Sequence, residues 1–276
     1  MDFQFKETLL YIENLSVAYD DTIIIKDINL VEKDVVRNGH NSTSQVIAVV
    51  GRSGRGKSTF FKALTGLVEP KSGKILIKDF NSAEEGAAKE IKEGDIGFVD
   101  QKYTLFRHKT VHQSLKFALR KSNLSDSEKD AKILEYLHKW GLDNFANKYP
   151  NELSGGQRQR TAIIEQLFSS DKFIVMDEPF SGLDVGNIIE VKKSFELLNS
   201  TSEYNTVIFS THDIELAVEL AQVIYVIGYP TINGEKQKYG SIVGKYDLRE
   251  LGLAWKDYSE EHLHLTKQII NQMMLS

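Results

Sequence analysis

The stretch GRSGRGKST at residues 51–59 constrains the fold of this chain more than any other segment. It matches the pattern G-x-x-x-x-G-K-[ST], follows the apolar run Gln45–Val50 and precedes the helix-favouring segment FFKALTG. Glycines let such a loop curl so that its backbone N–H groups point at phosphates, and the following helix N-terminus adds favourable partial charge. The segment therefore predicts a nucleotide-binding strand–loop–helix unit. Its predicted binding residues are Gly51, Arg52, Ser53, Gly54, Arg55, Gly56, Lys57, Ser58 and Thr59.

Short β-branched runs alternate with longer helical or polar segments along the chain. The runs cover Gln45–Val50, 75–77, Ile96–Val99, Phe173–Met176, 207–209 and 223–227. Several are almost continuously apolar, as expected for parallel strands buried on both faces. The alternation predicts an α/β fold with a mainly parallel sheet.

Three regions depart from this alternation. Between residues 111 and 160 the pattern becomes helical, with Ser125 and Glu128 forming a capping box before a face that carries Ile133, Leu134 and Leu137. Residues 32–44 are polar and are interpreted as a long surface turn. From about residue 239 the chain leaves the core pattern and ends in a predicted helix. Its spaced apolar residues are Leu265, Ile269 and Met273.

Two carboxylates follow the apolar run Phe173–Met176 directly, in the segment FIVMDE. Ligands of open α/β sheets bind at the carboxyl ends of strands. Asp177 is therefore a candidate for holding Mg²⁺, and Glu178 is a candidate for polarising an attacking water. Paired acids at a strand end can also be solvated surface, but the phosphate loop upstream favours the catalytic interpretation.

Composition narrows the possible functions. The 276 residues carry a formal net charge of −5, which argues against a general nucleic-acid binder because phosphate contacts need clustered basic residues. The absence of cysteine excludes disulfides and thiolate metal sites. No signal peptide is recognised at the N-terminus, and the apolar runs are far shorter than the about 20 residues of a membrane-spanning helix. We therefore expect membrane association only through a partner.

The segment LSGGQRQR begins at Leu153 and offers a second backbone cradle for an anion at a helix start. LSGGQ is the signature sequence of the ATP-binding cassette family. In chain order, the sequence shows a phosphate loop, Gln101, this signature, FIVMDE, SGLD and STHD. This series resembles the ATPase subunits of ABC transporters across roughly residues 9–240.

The resemblance implies a P-loop, RecA-like fold with an antiparallel β part and a helical subdomain inserted at about residues 102–160. It implies a cassette over residues 1–240 and a C-terminal helical extension over 241–276. It also implies roles for single residues. These are adenine stacking by Tyr19, Mg²⁺ binding by Ser58, Gln101 and Asp177, catalysis by Glu178, His212 and Gln101, and signalling across a dimer by Asp184.

The family mechanism involves two chains. ATP bound at Lys57 of one subunit is covered by Ser154, Gly155, Gly156 and Gln157 of a second copy, or of a related ATPase subunit. The implied partners are transmembrane permease subunits and, for an importer, a solute-binding protein. The implied location is the cytoplasmic face of the cell membrane. The segments THDIELAVELA and YDLRELGLAWKDYSEEH are similar to the nitrate/sulfonate/taurine group of importers, and EPFSGLD also resembles an importer subunit.

Two alternatives to a transporter subunit remain. One is a soluble ABC ATPase that drives a non-transport assembly, and the other is a nucleotide-gated binding module without turnover. The chain also departs from the family pattern, since Glu165 stands at a commonly basic position and Arg107 at a usual proline. The segment from Arg107 to Lys109 is either a docking site for an acidic coupling helix or a solvated basic loop. The histidine pairs 108/112 and 262/264 are interpreted as surface residues rather than metal ligands.

Overall fold

The computed structural model of the chain describes residues 3–37, 45–80, 82–84, 86–170, 173–179, 192–193, 195–197 and 206–276. The strands are β1 (Phe3–Tyr19), β2 (Thr22–Arg37), β3 (Gln45–Val50), β4 (Ser72–Lys78), β5 (Ala88–Glu90), β6 (Ile96–Val99), β7 (Phe173–Met176), β8 (Thr206–Thr211), β9 (Val223–Gly228), β10 (Thr231–Ile232), β11 (Glu235–Lys236) and β12 (Ser241–Asp247). The α-helices are α1 (Lys57–Leu64), α2 (Val111–Ala118), α3 (Asp126–Lys139), α4 (Gly155–Ser169), α5 (Ile214–Leu220) and α6 (Glu260–Leu275). Short 3₁₀ turns span Leu119–Lys121, Asp143–Phe145 and Pro150–Glu152.

The central sheet has the strand order β12-β9-β3-β8-β7-β6. Its strands pair in parallel except for β12, which is antiparallel to β9 at one edge. Every residue of β3, β7, β8 and β9 is buried, which confirms the prediction from the continuous apolar runs. Because β8 lies between β3 and β7, the carboxyl ends of these three strands meet at one edge of the sheet.

Alternate residues of β3 point into two different cores. Ile47 and Val49 pack with Phe60 and Phe61 of α1 and with an antiparallel sheet of order β2-β1-β4-β5. The opposite face of β3 packs against a core that includes residues of α2 to α6. Burial of each phenyl ring stabilises the fold by about 1.5–3 kcal/mol relative to exposure. Helix α1 is thus fixed between two sheets, which holds the loop that precedes it.

Helices α2 and α3 lie within the region predicted to be helical, whereas α4 begins there and continues to Ser169, beyond the predicted end at residue 160. The Ser125 N–H donates to Glu128 Oε2 at 2.7 Å and Ser125 Oγ accepts from the Glu128 N–H at 3.4 Å, which confirms the predicted capping box. Ile133 and Leu137 are buried as predicted, whereas Leu134 is exposed. The prediction for Leu134 was wrong because it lies about 100° around the helix from Ile133.

The predicted surface turn over residues 32–44 is wrong for its first part. Strand β2 continues through Arg37, and both Glu32 and Asp34 are buried. Glu32 is buried because it accepts a hydrogen bond from the Tyr225 hydroxyl and pairs with Arg249 at 3.4 Å. Residues 38–44 lie outside the described ranges.

The C-terminal segment differs from the helical extension predicted for residues 241–276. Ser241–Asp247 is an edge strand of the central sheet, and Glu260–Leu275 is the helix. Leu265, Ile269 and Met273 are buried as predicted.

The interpretation of His262 as a surface residue was wrong. His262 is buried, with Nε2 3.1 Å from the Leu253 carbonyl oxygen and Nδ1 2.8 Å from Ser259 Oγ. These two polar partners replace the hydrogen bonds to water that the imidazole loses on burial. His264, on the other side of α6, is exposed as expected.

Across the described ranges of the chain, every helix is too short or too polar to cross a membrane.

We predict that Arg249→Ala lowers the free energy of unfolding by about 3 kcal/mol, because it removes a buried partner of Glu32 and Asp247. Urea unfolding measures the change. Lys74→Ala, which breaks an exposed pair with Glu13, is the control and should leave the free energy of unfolding nearly unchanged. Equal losses in the two variants would show that the buried pairs are not a special source of stability.

Candidate functional site

The loop between β3 and α1 depends on glycine at defined points. Gly54 and Gly56 have φ angles of 77° and 94°, in the left-handed region where a side chain is strained. A Cβ on Gly51 would lie 2.3 Å from the Ile227 carbonyl oxygen, and one on Gly56 would lie 2.4 Å from a methyl carbon of Ile25. The loop therefore keeps its curl only with the glycines that the motif predicts.

Lys57 opens α1 and turns back over this loop. Its Nζ donates to the Gly51 carbonyl oxygen at 2.8 Å and lies 3.6 Å from Glu178 Oε1. The side chain of Lys57 is buried, whereas Ser58 is exposed at the same helix start. The ammonium group of Lys57 and the hydroxyl of Ser58 thus both lie where the loop meets α1.

Asp177 and Glu178 follow β7, and a serine at the end of the neighbouring strand holds both. Ser210 Oγ donates to Asp177 Oδ1 at 2.6 Å and accepts from the Glu178 N–H at 2.9 Å. Sequence reasoning missed Ser210, although it is the first residue of the STHD motif. Its position is a signal that could have been used, because β7 and β8 are parallel neighbours whose carboxyl ends coincide.

The carboxylate of Glu178 lies between two other predicted site residues. His212 Nδ1 is 3.5 Å from Glu178 Oε2, opposite the contact with Lys57. Glu178 has a φ of 49°, which is unusual for a residue other than glycine, asparagine or aspartate. Such backbone strain is characteristic of residues whose position serves a site. The structure thus brings Lys57, Asp177, Glu178 and His212 together.

The segment after β6 contacts the residue that follows Glu178, through the backbone carbonyl oxygen of Pro179. Gln101 is exposed just beyond β6, and Tyr103 nearby donates from its hydroxyl to the Pro179 carbonyl oxygen at 2.7 Å. Gln159 of α4 donates to that same oxygen at 2.9 Å. Burial raises the pKa of Tyr103 to about 12, so its hydroxyl stays a donor at neutral pH. Sequence reasoning missed Tyr103 and Gln159, since nothing in the sequence indicates a shared carbonyl.

The signature residues form the start of α4 and do not join this group. Ser154 Oγ accepts from the Gln157 N–H at 3.3 Å, and Gln157 Oε1 accepts from the Ser154 N–H at 2.8 Å. A Cβ on Gly155 would meet only open space, whereas Gly156 is buried. The helix start is therefore open to a ligand or a second chain, and its hydrogen bonds with Gln157 stay within the helix.

Two other predicted residues stand apart. Tyr19 ends β1 and is exposed, with Thr22 as its cross-strand partner. The nearby Ile24 and Ile25 of β2 contact the phosphate loop at Gly56, so this hairpin lies beside the loop. Asp184 lies outside the described residues.

A divalent cation fits the chemistry of the donors present. In the part of the chain that the structure describes, no three His, Cys, Asp or Glu residues form a metal-binding group. The exposed Ser58 hydroxyl and the Asp177 carboxylate supply oxygen ligands, as Mg²⁺ prefers, and phosphate oxygens of a nucleotide commonly complete its shell. His112 pairs with Asp130 at 3.3 Å and His108 is exposed, consistent with their interpretation as surface residues.

Glu165, at the commonly basic position of α4, borders a cavity of about 100 Å³ that Asp100 and Thr104 also line. Its Oε2 has no hydrogen-bond partner among the described residues. Burial raises the pKa of Glu165 to about 7, and the charge of Arg120 opposes that rise. The departure from the family pattern therefore places a titratable carboxyl group beside the segment that follows β6.

Comparison with known proteins gives a consistent result. The protein-family model described as ABC transporter matches residues 38–181. The "Sulfate/thiosulfate import ATP-binding protein CysA" of Synechocystis sp. is 33% identical over 86% of this chain and 62% of that protein. A Chlorella vulgaris protein, named "Probable sulfate/thiosulfate import ATP-binding protein CysA", is 34% identical over 79% of this chain and 86% of its own length. The chain spans 62–65% of the length of the cyanobacterial relatives from Synechocystis and Thermosynechococcus vestitus.

Two solved structures share the fold. One is cbiO1 from Clostridium perfringens, described as part of the ABC transporter complex cbiONQ, with a TM-score of 0.67 and 25% identity over 90% of this chain and 92% of that one. The other is a dimeric post-hydrolysis state of the ATP-binding cassette MJ0796 bound to ADP and phosphate, with a TM-score of 0.64 and 25% identity. It covers 87% of this chain and 99% of that one. The predicted α/β P-loop fold is therefore confirmed.

We predict that Glu165→Gln removes a pH-dependent loss of stability. The raised pKa means that the folded chain prefers the protonated carboxyl group of Glu165. The contribution of this group to the free energy of unfolding is therefore fully present below its ordinary pKa of 4.5 and is lost as the pH rises to about 7. The wild type should lose about 2–3 kcal/mol of unfolding free energy from this group between about pH 5 and pH 8. Urea unfolding at both pH values measures the difference.

Glu250→Gln, at an exposed position, is the matched control for this prediction and should keep the wild-type pH dependence. A Glu165→Gln chain whose stability changes with pH as the wild type does would contradict the raised pKa.

Proposed function

Because this chain belongs to the ABC transporter family, we propose that it is the ATP-binding and hydrolysing subunit that energises solute import by an ABC transporter. The observation that carries the proposal is the position of Glu178, with Lys57 at 3.6 Å on one side and His212 at 3.5 Å on the other. A general base within reach of a phosphate-binding lysine is the arrangement that nucleotide hydrolysis needs.

ATP binding is assigned to the phosphate loop and α1. The N–H groups of the loop cradle the phosphates, and Lys57 neutralises charge on the terminal ones. Tyr19, exposed on the hairpin beside the loop, is assigned to stack on adenine. The Ser58 hydroxyl, Asp177 and Gln101 are assigned as ligands of Mg²⁺, which when bound neutralises developing charge on the phosphate oxygens.

Hydrolysis is assigned to the residues around Glu178. Its carboxylate polarises a water that attacks the γ-phosphorus, the bond from that phosphorus to the bridging oxygen breaks, and ADP leaves with that oxygen. Ser210 holds the backbone of Glu178 in place by accepting a hydrogen bond from its N–H. His212 contacts the γ-phosphate, and Gln101 positions the water.

The complete site needs a second copy, or a related ATPase subunit. The start of α4, with Ser154, Gly155, Gly156 and Gln157, is assigned to cover the nucleotide of the partner subunit. The open space at Gly155 supports this assignment, since a bound phosphate needs backbone N–H groups that no side chain covers. ATP would then hold two subunits together and its hydrolysis would release them. The role of Asp184 in signalling across the dimer remains a prediction from the family resemblance.

The transmembrane partners are proposed to dock beside the segment after β6. A cavity of about 510 Å³ there is lined by Lys102, Arg107 and Arg158 among others, so it carries positive charge. An acidic coupling helix of a permease subunit fits this surface. The chain would then lie on the cytoplasmic face of the cell membrane, held by its permease.

The transported solute is chosen outside this chain, by the permease and a solute-binding protein. Relatives are named for sulfate and thiosulfate import, which supports an importer of a small oxyanion. This agrees with the import direction predicted from the sequence. The nitrate/sulfonate/taurine group of that prediction contains solutes of similar chemistry.

We predict that Glu178→Gln retains ATP binding but lowers ATP turnover by about 100-fold or more, because the general base is lost. Lys57→Ala should instead weaken ATP binding by about tenfold or more, since a charge-assisted contact is removed. Phosphate release and nucleotide titration separate the two effects. Unchanged turnover in Glu178→Gln would remove the assignment of the base, and unchanged binding in Lys57→Ala would remove that of the phosphate loop.

We predict that Arg107→Glu abolishes most recovery of the chain with a polytopic membrane protein from its native membrane, because like charges then meet at the docking surface. Affinity purification followed by identification of bound proteins measures this. Lys71→Glu, a charge reversal at an exposed position just before β4, should leave recovery unchanged. A wild-type chain that recovers no membrane protein would favour the soluble ATPase instead.

A further inference from the structure

A cavity of about 660 Å³ lies between the proposed ATP site and helix α6. Its polar wall includes Arg52 of the phosphate loop and His212, and its apolar wall includes Ile270, Met273 and Met274. The apolar wall contains no residue that is assigned to bind ATP or the permease. The cavity therefore has one polar wall and one apolar wall, and both face the same opening.

The polar wall is continuous with the site at Glu178. His212 Nδ1 lies 3.5 Å from Glu178 Oε2, and the Arg52 carbonyl oxygen lies 3.5 Å from Lys57 Nζ. The Arg52 side chain is exposed. Any protein surface that closes over the phosphate loop must therefore also approach the opening of this cavity.

The apolar wall is a stripe on α6 beside the buried face of that helix. Ile270 is 37% exposed and Met274, one turn further, is 68% exposed. Residues four apart lie on one face of a helix, so their side chains form one apolar surface. Methionine side chains adapt readily to a facing surface. A stripe of this kind beside a polar site is typical of a contact with another protein.

The position of the stripe is fixed relative to the phosphate loop. Gln272 of α6 donates to the Val243 carbonyl oxygen at 2.5 Å and accepts from the Tyr246 hydroxyl at 2.5 Å, which ties the helix to β12. A Cβ on Gly244 would lie 2.5 Å from the Gln272 side chain, so the strand and the helix are in close contact. The helix cannot swing over the cavity without breaking these bonds.

We propose that Ile270 and Met274 of α6 form an apolar contact with the second copy of this chain when ATP closes the two copies together. The inference rests on the proposed function, which already requires a second copy over the nucleotide bound beside Arg52 and His212. The permease is the less suitable occupant, because its proposed docking surface at Arg107 borders a different cavity. The apolar stripe thus widens the closed interface beyond the residues that touch nucleotide.

The absence of natural cysteine allows a direct test. Met274→Cys is combined with Glu178→Gln, which is expected to keep ATP bound, and is labelled with a maleimide with and without Mg-ATP. Labelling should slow about tenfold with Mg-ATP at protein concentrations that give dimers, and should recover on dilution because the protection comes from a second chain. Leu134→Cys, an exposed apolar position on α3, is the matched control and should label at one rate throughout.

A second variant tests how much the contact stabilises the dimer, rather than how accessible position 274 is. Met274→Asp in the same Glu178→Gln background should weaken the Mg-ATP-dependent dimer about tenfold or more in sedimentation, because a carboxylate would enter an apolar contact. Nucleotide affinity of the monomer should not change. Leu134→Asp is the control for the added charge.

The outcomes separate the inference from the function on which it rests. If Glu178→Gln dimerises with Mg-ATP while Met274→Cys labels at an unchanged rate, the α6 contact is overturned and the proposed function stands. Protection that persists on dilution, or that requires the permease, also overturns it by naming another occupant. If Glu178→Gln forms no dimer with Mg-ATP, the proposed pairing of two copies and the α6 contact both fail.

Discussion

The parallel backbone ladder that joins β3, β8 and β7 is the constraint on which the rest of the molecule depends. Its register sets Val50 opposite Thr211 and Met176 opposite Phe209, so three strands end at one edge. The phosphate loop, the two carboxylates and His212 each continue from one of these strand ends. Residues that are more than a hundred positions apart in the chain therefore meet within a few ångströms. The apolar side chains above and below the ladder hold this edge in place.

The residues at that edge are positioned by short polar contacts rather than by packing. Ser210 bonds to both Asp177 and Glu178, and Glu178 keeps a left-handed backbone conformation that few residues of its type adopt. A flexible carboxylate would lose more entropy on reaching a reactive geometry than one that is already held. The buried polar contacts of Glu32 and Arg249 likewise restrict the motion of whole strands, since they join β2 to β9 and β12.

Much of this arrangement is predictable from sequence because it is locally encoded. Continuous apolar runs indicate buried parallel strands, the capping boxes indicate helix starts, and the loop motif and the order of motifs indicate candidate site residues. The predictions were wrong where the burial of a residue depends on a contact with another residue that is distant in sequence. The burial of Glu32 depends on contacts with Arg249 and Tyr225, and that of His262 on a contact with the Leu253 carbonyl oxygen. Ser210, Tyr103 and Gln159 were missed because their contacts need the register of neighbouring strands or a backbone oxygen, neither of which a motif displays.

The Pro179 carbonyl oxygen has a consequence for how the molecule transmits information. It follows Glu178 directly and accepts hydrogen bonds from both Tyr103 and Gln159, which belong to the segment after β6 and to α4. A shift of either element changes the energy of the residue next to the proposed base. Because binding free energies are linked reciprocally, a partner on either surface that changed nucleotide affinity would have its own affinity changed by nucleotide by the same factor. One backbone oxygen atom therefore connects the segment after β6 and α4 to the residue beside the proposed base.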